Sequence, residues 1–205
     1  MRGFILCLLL LIFHSTQSLA WKSESVDGEV SVEKDGASGK FSQNSDLVPG
    51  QALTIGKETT LVLKEGESEL TLSPETTIQL ESSPDREKKQ PGLFKILSGQ
   101  IHLKTAPNGK SEADSYQFQT PSLLVTTRGQ ELLIGVEKAG AKEEKVLALE
   151  GASRVVVTNP PSEQPTDVAS GMGYFKSPGS EGVTRLISPE ELRAYHPAKP
   201  TGHHR

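Results

Sequence analysis

The 205-residue chain has a single cysteine, Cys7, and that residue lies in an apolar run near the amino terminus. Only 5% of the residues are aromatic, with one tryptophan. The chain also has no excess of positive charge, since it contains 22 Lys and Arg but 26 Asp and Glu, which gives a net charge of −4. This composition excludes a disulfide framework and a Cys-based zinc site beyond the first twenty residues, and it favours no basic surface for nucleic acid.

A long apolar run occurs once. Arg2 precedes the apolar residues 4–13, and Ser18-Leu19-Ala20 places small residues before Trp21. Ten apolar residues span about 15 Å as a helix, roughly half a bilayer's hydrocarbon core, so they predict a signal peptide rather than a membrane span. We expect cleavage after Ala20, a soluble mature chain without a membrane span, and export to the periplasm or outside of a bacterial cell.

Glycine and proline, 19 and 13 residues respectively, divide the remaining chain into short segments. Within these segments apolar residues recur at every second position, as in Leu70-Thr71-Leu72, which is the period of a strand with one buried face. A turn is expected at Ser98-Gly99, and the segment Asn159–Gln164 is not expected to form a central strand, because its two prolines lack ladder donors. The predicted strands are Val26–Glu33, Gln51–Ile55, Thr59–Lys64, Ser68–Leu72, Thr76–Leu80, Leu93–Leu97, Gln100–Thr105, Tyr116–Thr120, Ser122–Thr126, Gln130–Glu137, Glu144–Glu150, Ser153–Thr158, Thr166–Ala169 and Tyr174–Lys176.

These segments predict an all-β domain over residues 25–196, between the signal peptide (1–20) and a disordered tail (197–205). The architecture is either a twisted two-layer β-sandwich or a solenoid-like stack of short antiparallel strands. One short C-terminal helix is predicted from Ser188 as N-cap, with Pro189 and Glu191 completing the capping pattern. The predicted core is Leu61, Leu63, Leu70, Leu72, Ile78, Leu80, Ile96, Ile101, Leu103, Val125, Leu132, Ile134, Leu147, Leu149 and Val156.

Six segments follow one another in a recognisable order. They are Val26–Val30, Leu47–Leu53, Glu67–Leu80, Leu97–Ile101, Phe118–Pro121 with Val125–Gly129 after it, and Leu149–Gly151. Their order and spacing, over about residues 26–176, resemble the FecR-type domain of bacterial envelope proteins. The chain departs from the family pattern at two positions, with Gln130 where threonine is usual after Arg-Gly and Leu132 where phenylalanine is usual.

The founding members of that family are membrane-spanning regulators of sigma factors, whose periplasmic part responds to an outer-membrane receptor. Because the predicted mature chain has no membrane span, the resemblance implies the module alone, an envelope-exposed β domain that contacts other molecules.

Candidate functional residues are few. No spacing of Ser, His, Asp and Glu predicts a catalytic site, and no motif predicts a metal or cofactor, so we expect no enzymatic activity. His102 is expected on the outer face of its strand as an ordinary surface histidine, and the carboxylates at Glu65, Glu67 and Glu69 are expected to form a solvated hairpin rim. The mixed charges of 137–145 (Lys138, Lys142 and Lys145 with Glu137, Glu143 and Glu144) predict a neutralised loop. Arg128 and Gln130 are the candidate partner-binding residues.

Three functions are compatible with these observations. The leading hypothesis is a non-enzymatic binding or scaffold module of the cell envelope, with an envelope protein or a cell-wall polysaccharide as partner. The alternative is a signalling component that senses an envelope state and relays it to a membrane partner. A cell-wall glycan-active enzyme is the least favoured, because it needs two carboxylates at a fixed separation in a groove.

Overall fold

The computed structural model describes residues 20–85, 87–105, 116–127, 131–137, 143–158, 161–188 and 192. The predicted signal peptide and tail therefore lie outside the described residues, apart from Ala20. In the described part of the chain seventeen strands form, and the all-β prediction is confirmed. The strands are β1 (Trp21–Asp27), β2 (Val30–Lys34), β3 (Ala37–Lys40), β4 (Asp46–Leu47), β5 (Ala52–Ile55), β6 (Thr60–Glu65), β7 (Ser68–Leu72), β8 (Thr77–Ser82), β9 (Gly92–Lys104), β10 (Tyr116–Gln119), β11 (Leu123–Thr127), β12 (Glu131–Val136), β13 (Glu144–Glu150), β14 (Ala152–Thr158), β15 (Pro161–Ala169), β16 (Met172–Lys176) and β17 (Val183–Leu186).

The seventeen strands form two sheets, A and B, which have one strand, β9, in common. Sheet A has the order β4-β1-β6-β7-β9-β12-β13-β16-β17. Sheet B has the order β3-β2-β5-β8-β9-β10-β11-β14-β15. All pairs are antiparallel except β9 with β10, which are parallel. From β10 onward, successive hairpins belong to the two sheets in turn: β10-β11 lies in sheet B, β12-β13 in sheet A, β14-β15 in sheet B and β16-β17 in sheet A. The chain therefore crosses from one layer of the sandwich to the other after each hairpin.

Strand β9 belongs to both sheets. Its first half pairs with β8 in sheet B, and its second half, from Gly99, pairs with β12 and β7 in sheet A. Gly99 has a φ of 90°, and the strand runs through it where the sequence predicted a turn. A side chain there has no room, because a Cβ would lie 2.4 Å from Cα of Thr76. Glycine therefore allows one strand to pass from one layer to the other.

The core lies between the inner faces of the two sheets. Thirteen of the fifteen predicted core residues are buried, and Leu149 and Val156 are half-buried. Leu147 is buried but belongs to a separate cluster on the outer face of sheet A, so its placement in the main core is wrong. The strands β13 and β14 carry consecutive apolar residues, so the sequence did not reveal which of them face inward. Val146, Ala148 and Val155 do so. At the centre the Trp21 ring meets Phe94 edge-on, with ring centroids 5.8 Å apart, and lies 5.4 Å from the Tyr116 ring.

The structure also bears on two further predictions. The segment 26–33 was expected as one strand, but Gly28, with a φ of 115°, separates β1 from β2. The strand predicted at Thr166–Ala169 begins earlier, at Pro161. In the described residues it pairs only with β14, so the segment with the two prolines is not a central strand, as predicted, and an edge strand tolerates prolines because one side of it needs no ladder bonds.

The C-terminal segment returns to the outer face of sheet A. Leu192 is helical and its backbone N–H donates to the Ser188 carbonyl oxygen at 3.0 Å, in the spacing of an α-helical turn. Residues 189–191 and 193–205 lie outside the described part, and with them the rest of the predicted helix. In the described residues no helix has the length and apolar character required to cross a membrane.

Candidate functional site

The outer face of sheet A carries two neighbouring rows of side chains across β9, β12, β13 and β16. One row is His102, Leu133, Leu147 and Gly173. Ile187 and Leu192 pack over its leucines and form a second, small hydrophobic cluster. The adjacent row is Gln100, Gly135, Lys145 and Phe175. Three members of this second row, Gln100, Gly135 and Lys145, line a cleft.

This cleft has a volume of about 360 Å³. Its lining comes from four separate parts of the chain, namely the β7–β8 turn, the bend of β9, the end of β12 and the start of β13. The lining residues are Ser73, Pro74, Glu75, Gly99, Gln100, Gly135, Val136, Glu137 and Lys145. Gly99 and Gly135 have no side chains, so their backbone lines the cleft directly.

Lys145 is positioned by Gly135. The two residues are cross-strand partners, and a Cβ on Gly135 would lie 2.6 Å from Lys145 Cε and 3.1 Å from its Cγ. The methylene stem therefore lies flat across the glycine and directs the amine into the cleft. Burial of the stem lowers the pKa of Lys145 below its usual value, and the negative charges of Glu137 and Glu143 oppose that change only in part.

The rim opposite Lys145 is a tight turn. Glu75 has a φ of 60°, which is the left-handed region. The turn is held by Thr76, whose Oγ1 accepts a hydrogen bond from the Gln100 N–H and donates one to the Gln100 carbonyl, both at 3.0 Å. The Ser73 N–H donates to the same carbonyl at 3.0 Å. The lining of the cleft thus includes one lysine, Lys145, and two glutamates, Glu75 and Glu137, and this mixed charge suits polar or charged groups of a ligand or partner.

His102 is buried, with 5% of its surface exposed, so the prediction of a surface histidine is wrong. Its strand does point it away from the main core, but the outer face of sheet A is covered near Leu133, its cross-strand neighbour. The His102 Nε2 lies 2.7 Å from Oε1 of Glu131, and Lys104 Nζ lies 3.3 Å from the same oxygen. A buried imidazole is thereby held between strands by a carboxylate.

The carboxylates after β6 do not form one solvated rim. Glu65 is buried at the end of β6, and the Tyr116 hydroxyl donates a hydrogen bond to its Oε2. Glu69, half-buried on β7, lies 4.0 Å from Lys64. The sequence missed the Glu65 contact because Tyr116 is fifty-one positions away.

The Thr120-Pro121 segment of the resemblance has a structural role. The buried Thr120 hydroxyl contacts Oε2 of Glu144, also buried, and the Leu123 N–H donates to Thr120 Oγ1 at 2.9 Å. Glu144 begins β13 in sheet A, whereas Thr120 follows β10 in sheet B. This pair therefore ties the two sheets together, and Glu144 is no part of a neutralised loop.

Arg128, Gln130, Lys138 and Lys142 lie outside the described residues. The two candidate partner-binding residues follow Thr127 in the chain, and Thr127 is paired with Tyr116.

No protein-family model matches the sequence, and a search of curated proteins finds no match. The fold is similar to that of two crystal structures, at 2.50 Å and 1.65 Å resolution, of a “putative anti-sigma factor” from Parabacteroides distasonis. The TM-scores are 0.57 and 0.56, at 9% and 8% sequence identity. Each comparison covers 70% of this chain and 63% of the other, so the chain spans less than two thirds of those proteins. The protein is thus a two-sheet β protein that shares its fold with them.

Proposed function

We propose that the chain is a non-enzymatic, FecR-like binding module of the bacterial envelope, and that it acts in signalling by engaging an envelope protein. The fold likeness to an anti-sigma factor carries this proposal. The order of the six sequence segments supports it independently, since the founding FecR members regulate sigma factors. Export, with cleavage after Ala20, is the part of the proposal that rests on the amino-terminal sequence.

The proposed contact surface is the cleft side of sheet A. It combines backbone, an amine and carboxylates at one end of the inner strands β9, β12 and β13 of sheet A, and such mixed polar groups orient a partner more than they supply affinity. Val183 on the neighbouring edge strand β17 is 60% exposed and extends the same face with apolar surface. Arg128 and Gln130 remain candidate contacts by sequence alone.

Deletion of the gene tests the signalling role. RNA sequencing under envelope stress should show altered expression of a defined set of genes, restored by the wild-type gene and by a Lys22→Ala gene. The Lys22 side chain is 58% exposed, so this variant keeps the fold. A Glu137→Arg variant, which reverses a charge on the proposed contact surface, should restore expression poorly. A transcriptome unchanged by the deletion would contradict a signalling role.

A further inference from the structure

We propose that the chain forms a symmetric dimer by antiparallel pairing of β17, an edge strand of sheet A, with β17 of a second copy. This goes beyond the proposed function and does not depend on it. Such a dimer continues sheet A from one copy into the next. Its two-fold axis is perpendicular to the sheet, so the outer faces of both copies, and with them both clefts, lie on the same side of the dimer.

The four sheet edges seen in the described residues differ in how well they resist pairing with another strand. Edge strands are normally short or carry proline or lysine, because their free N–H and C=O groups attract other strands. Three edges follow that rule, since β4 has two residues, β15 contains two prolines and β3 ends in a lysine. Strand β17, with the sequence Val-Thr-Arg-Leu, has neither proline nor lysine. It is therefore the edge best suited to accept a further strand.

Strand β17 also carries exposed apolar side chains. In the described part of the chain three large hydrophobic residues are exposed, and two of them are Val183 and Leu186, at 60% and 76%. Leu186 is paired with Met172, which packs against the main core, so Leu186 lies on the inner face of sheet A. Strand β15 of sheet B contacts β16, but Leu186, one strand further out, stays mostly uncovered. A strand added to β17 extends the layer on which this leucine packs.

The hydrogen bonds of β17 fix the register of such a pair. The Ile187 N–H donates to the Gly171 carbonyl at 3.1 Å, so the odd-numbered residues bond to β16 and the backbone of Thr184 and Leu186 points to the free edge. Only a two-fold axis through Thr184 or Arg185 keeps most of the strand paired. An axis through Arg185 sets two arginines directly opposite each other, which is destabilising. The axis therefore passes through Thr184.

This register is self-complementary in size and charge. It places Leu186 opposite the partner's Gly182, which has no side chain, so the leucine has room where the two strands meet. It places Arg185 diagonal to the partner's Glu181, an exposed residue, at a separation that long side chains span. Arg185 Nη1 lies 3.4 Å from the Leu186 carbonyl oxygen, and the partner's Gly182 N–H replaces this long hydrogen bond in the dimer.

Sedimentation velocity of the chain from Trp21 onward, which contains all seventeen strands, tests the pairing. The mean mass should rise from one chain towards two between low and high micromolar concentration, because a strand of four residues buries less surface than a standard interface. Leu186→Lys should weaken association roughly tenfold or more. Leu97→Lys is the matched control, since Leu97 is also exposed but lies on β9, and it should leave association unchanged.

Two results of this experiment would overturn the proposal. A chain that stays monomeric at every concentration would leave the β17 edge to a strand of another protein. Association that is equally strong in Leu186→Lys and in the wild type would place the interface elsewhere on the molecule.

Single cysteines test the register, since the chain from Trp21 onward contains none. Thr184→Cys places two cysteines directly opposite across the axis, with Cα atoms about 5.5 Å apart, a separation that a disulfide spans. Val183→Cys is the control, because its two copies are offset along the strands beyond disulfide reach, although random collision favours this more exposed position. Under mild oxidation Thr184→Cys should form a linked dimer several-fold faster than Val183→Cys. Equal rates, or a faster Val183→Cys, would refute the register and the proposal with it.

Discussion

Trp21→Ala should lower the free energy of unfolding by about 3–5 kcal/mol, the usual range for removing a buried large aromatic side chain. Trp21 is fully buried, and its ring joins the two sheets through Phe94 and Tyr116. Urea denaturation of a chain that begins at Trp21 measures the change. Because the chain has one tryptophan, its fluorescence independently reports burial in the wild type.

Two variants serve as controls for Trp21→Ala. Lys22→Ala, on the opposite face of the same strand, should change the free energy of unfolding by less than about 0.5 kcal/mol. Trp21→Phe should cost less than Trp21→Ala, since the Trp21 indole N–H is buried without a hydrogen-bond partner in the described part of the chain. Phenylalanine removes that unsatisfied donor and keeps most of the ring. A loss below about 1 kcal/mol for Trp21→Ala would show that this strand does not pack as described.

Gly99→Ala should be the second most damaging substitution, with an expected loss of about 2–5 kcal/mol. Alanine at a positive φ costs about 1–2 kcal/mol, and forcing a methyl group into packed surroundings costs typically 1–3 kcal/mol more. The methyl group would meet the backbone of Thr76, which cannot rotate away as a side chain could. The measurement is the same urea denaturation.

Gly66→Ala isolates the two contributions at Gly99. Gly66 also has a positive φ, 59°, but a Cβ there would meet nothing within 4 Å. Its loss should therefore be the backbone cost alone, about 1–2 kcal/mol. Equal losses for the two variants would mean that β9 does not approach Thr76 closely at its bend.

The sequence predicted those elements whose information is local. The bounds of β7 agree with the structure at both ends, and the alternating leucines of β6 and β7 all face the core. The conformations of individual glycines were predicted less well, and Gly99 is the example. A residue that adopts a positive φ is compatible with a turn, as at Gly66, or with a strand that changes sheets, as at Gly99, and only the distant partner Thr76 distinguishes these.

The cleft could not be predicted from sequence. Its lining joins residues near positions 73, 99, 135 and 145, and their proximity depends on sheet order rather than on any local pattern. Gly135 opposite Lys145 was the available signal, because a glycine within an apolar strand often marks a close approach by another group. His102 and Glu65 were misjudged for a related reason. Their partners, Glu131 and Tyr116, are distant in sequence, and alternation alone does not show which outer faces are covered.

Site-specific photocrosslinking in intact cells tests the central claim most directly. A photoreactive residue replaces Glu137, exposed at the cleft, or Thr54, exposed on the outer face of sheet B. Mass spectrometry then identifies whatever is joined to the chain. We expect one dominant envelope protein from position 137 and little of it from position 54. No protein adduct from position 137, with the chain instead sedimenting with cell-wall polymer, would contradict a protein-binding module and favour glycan binding.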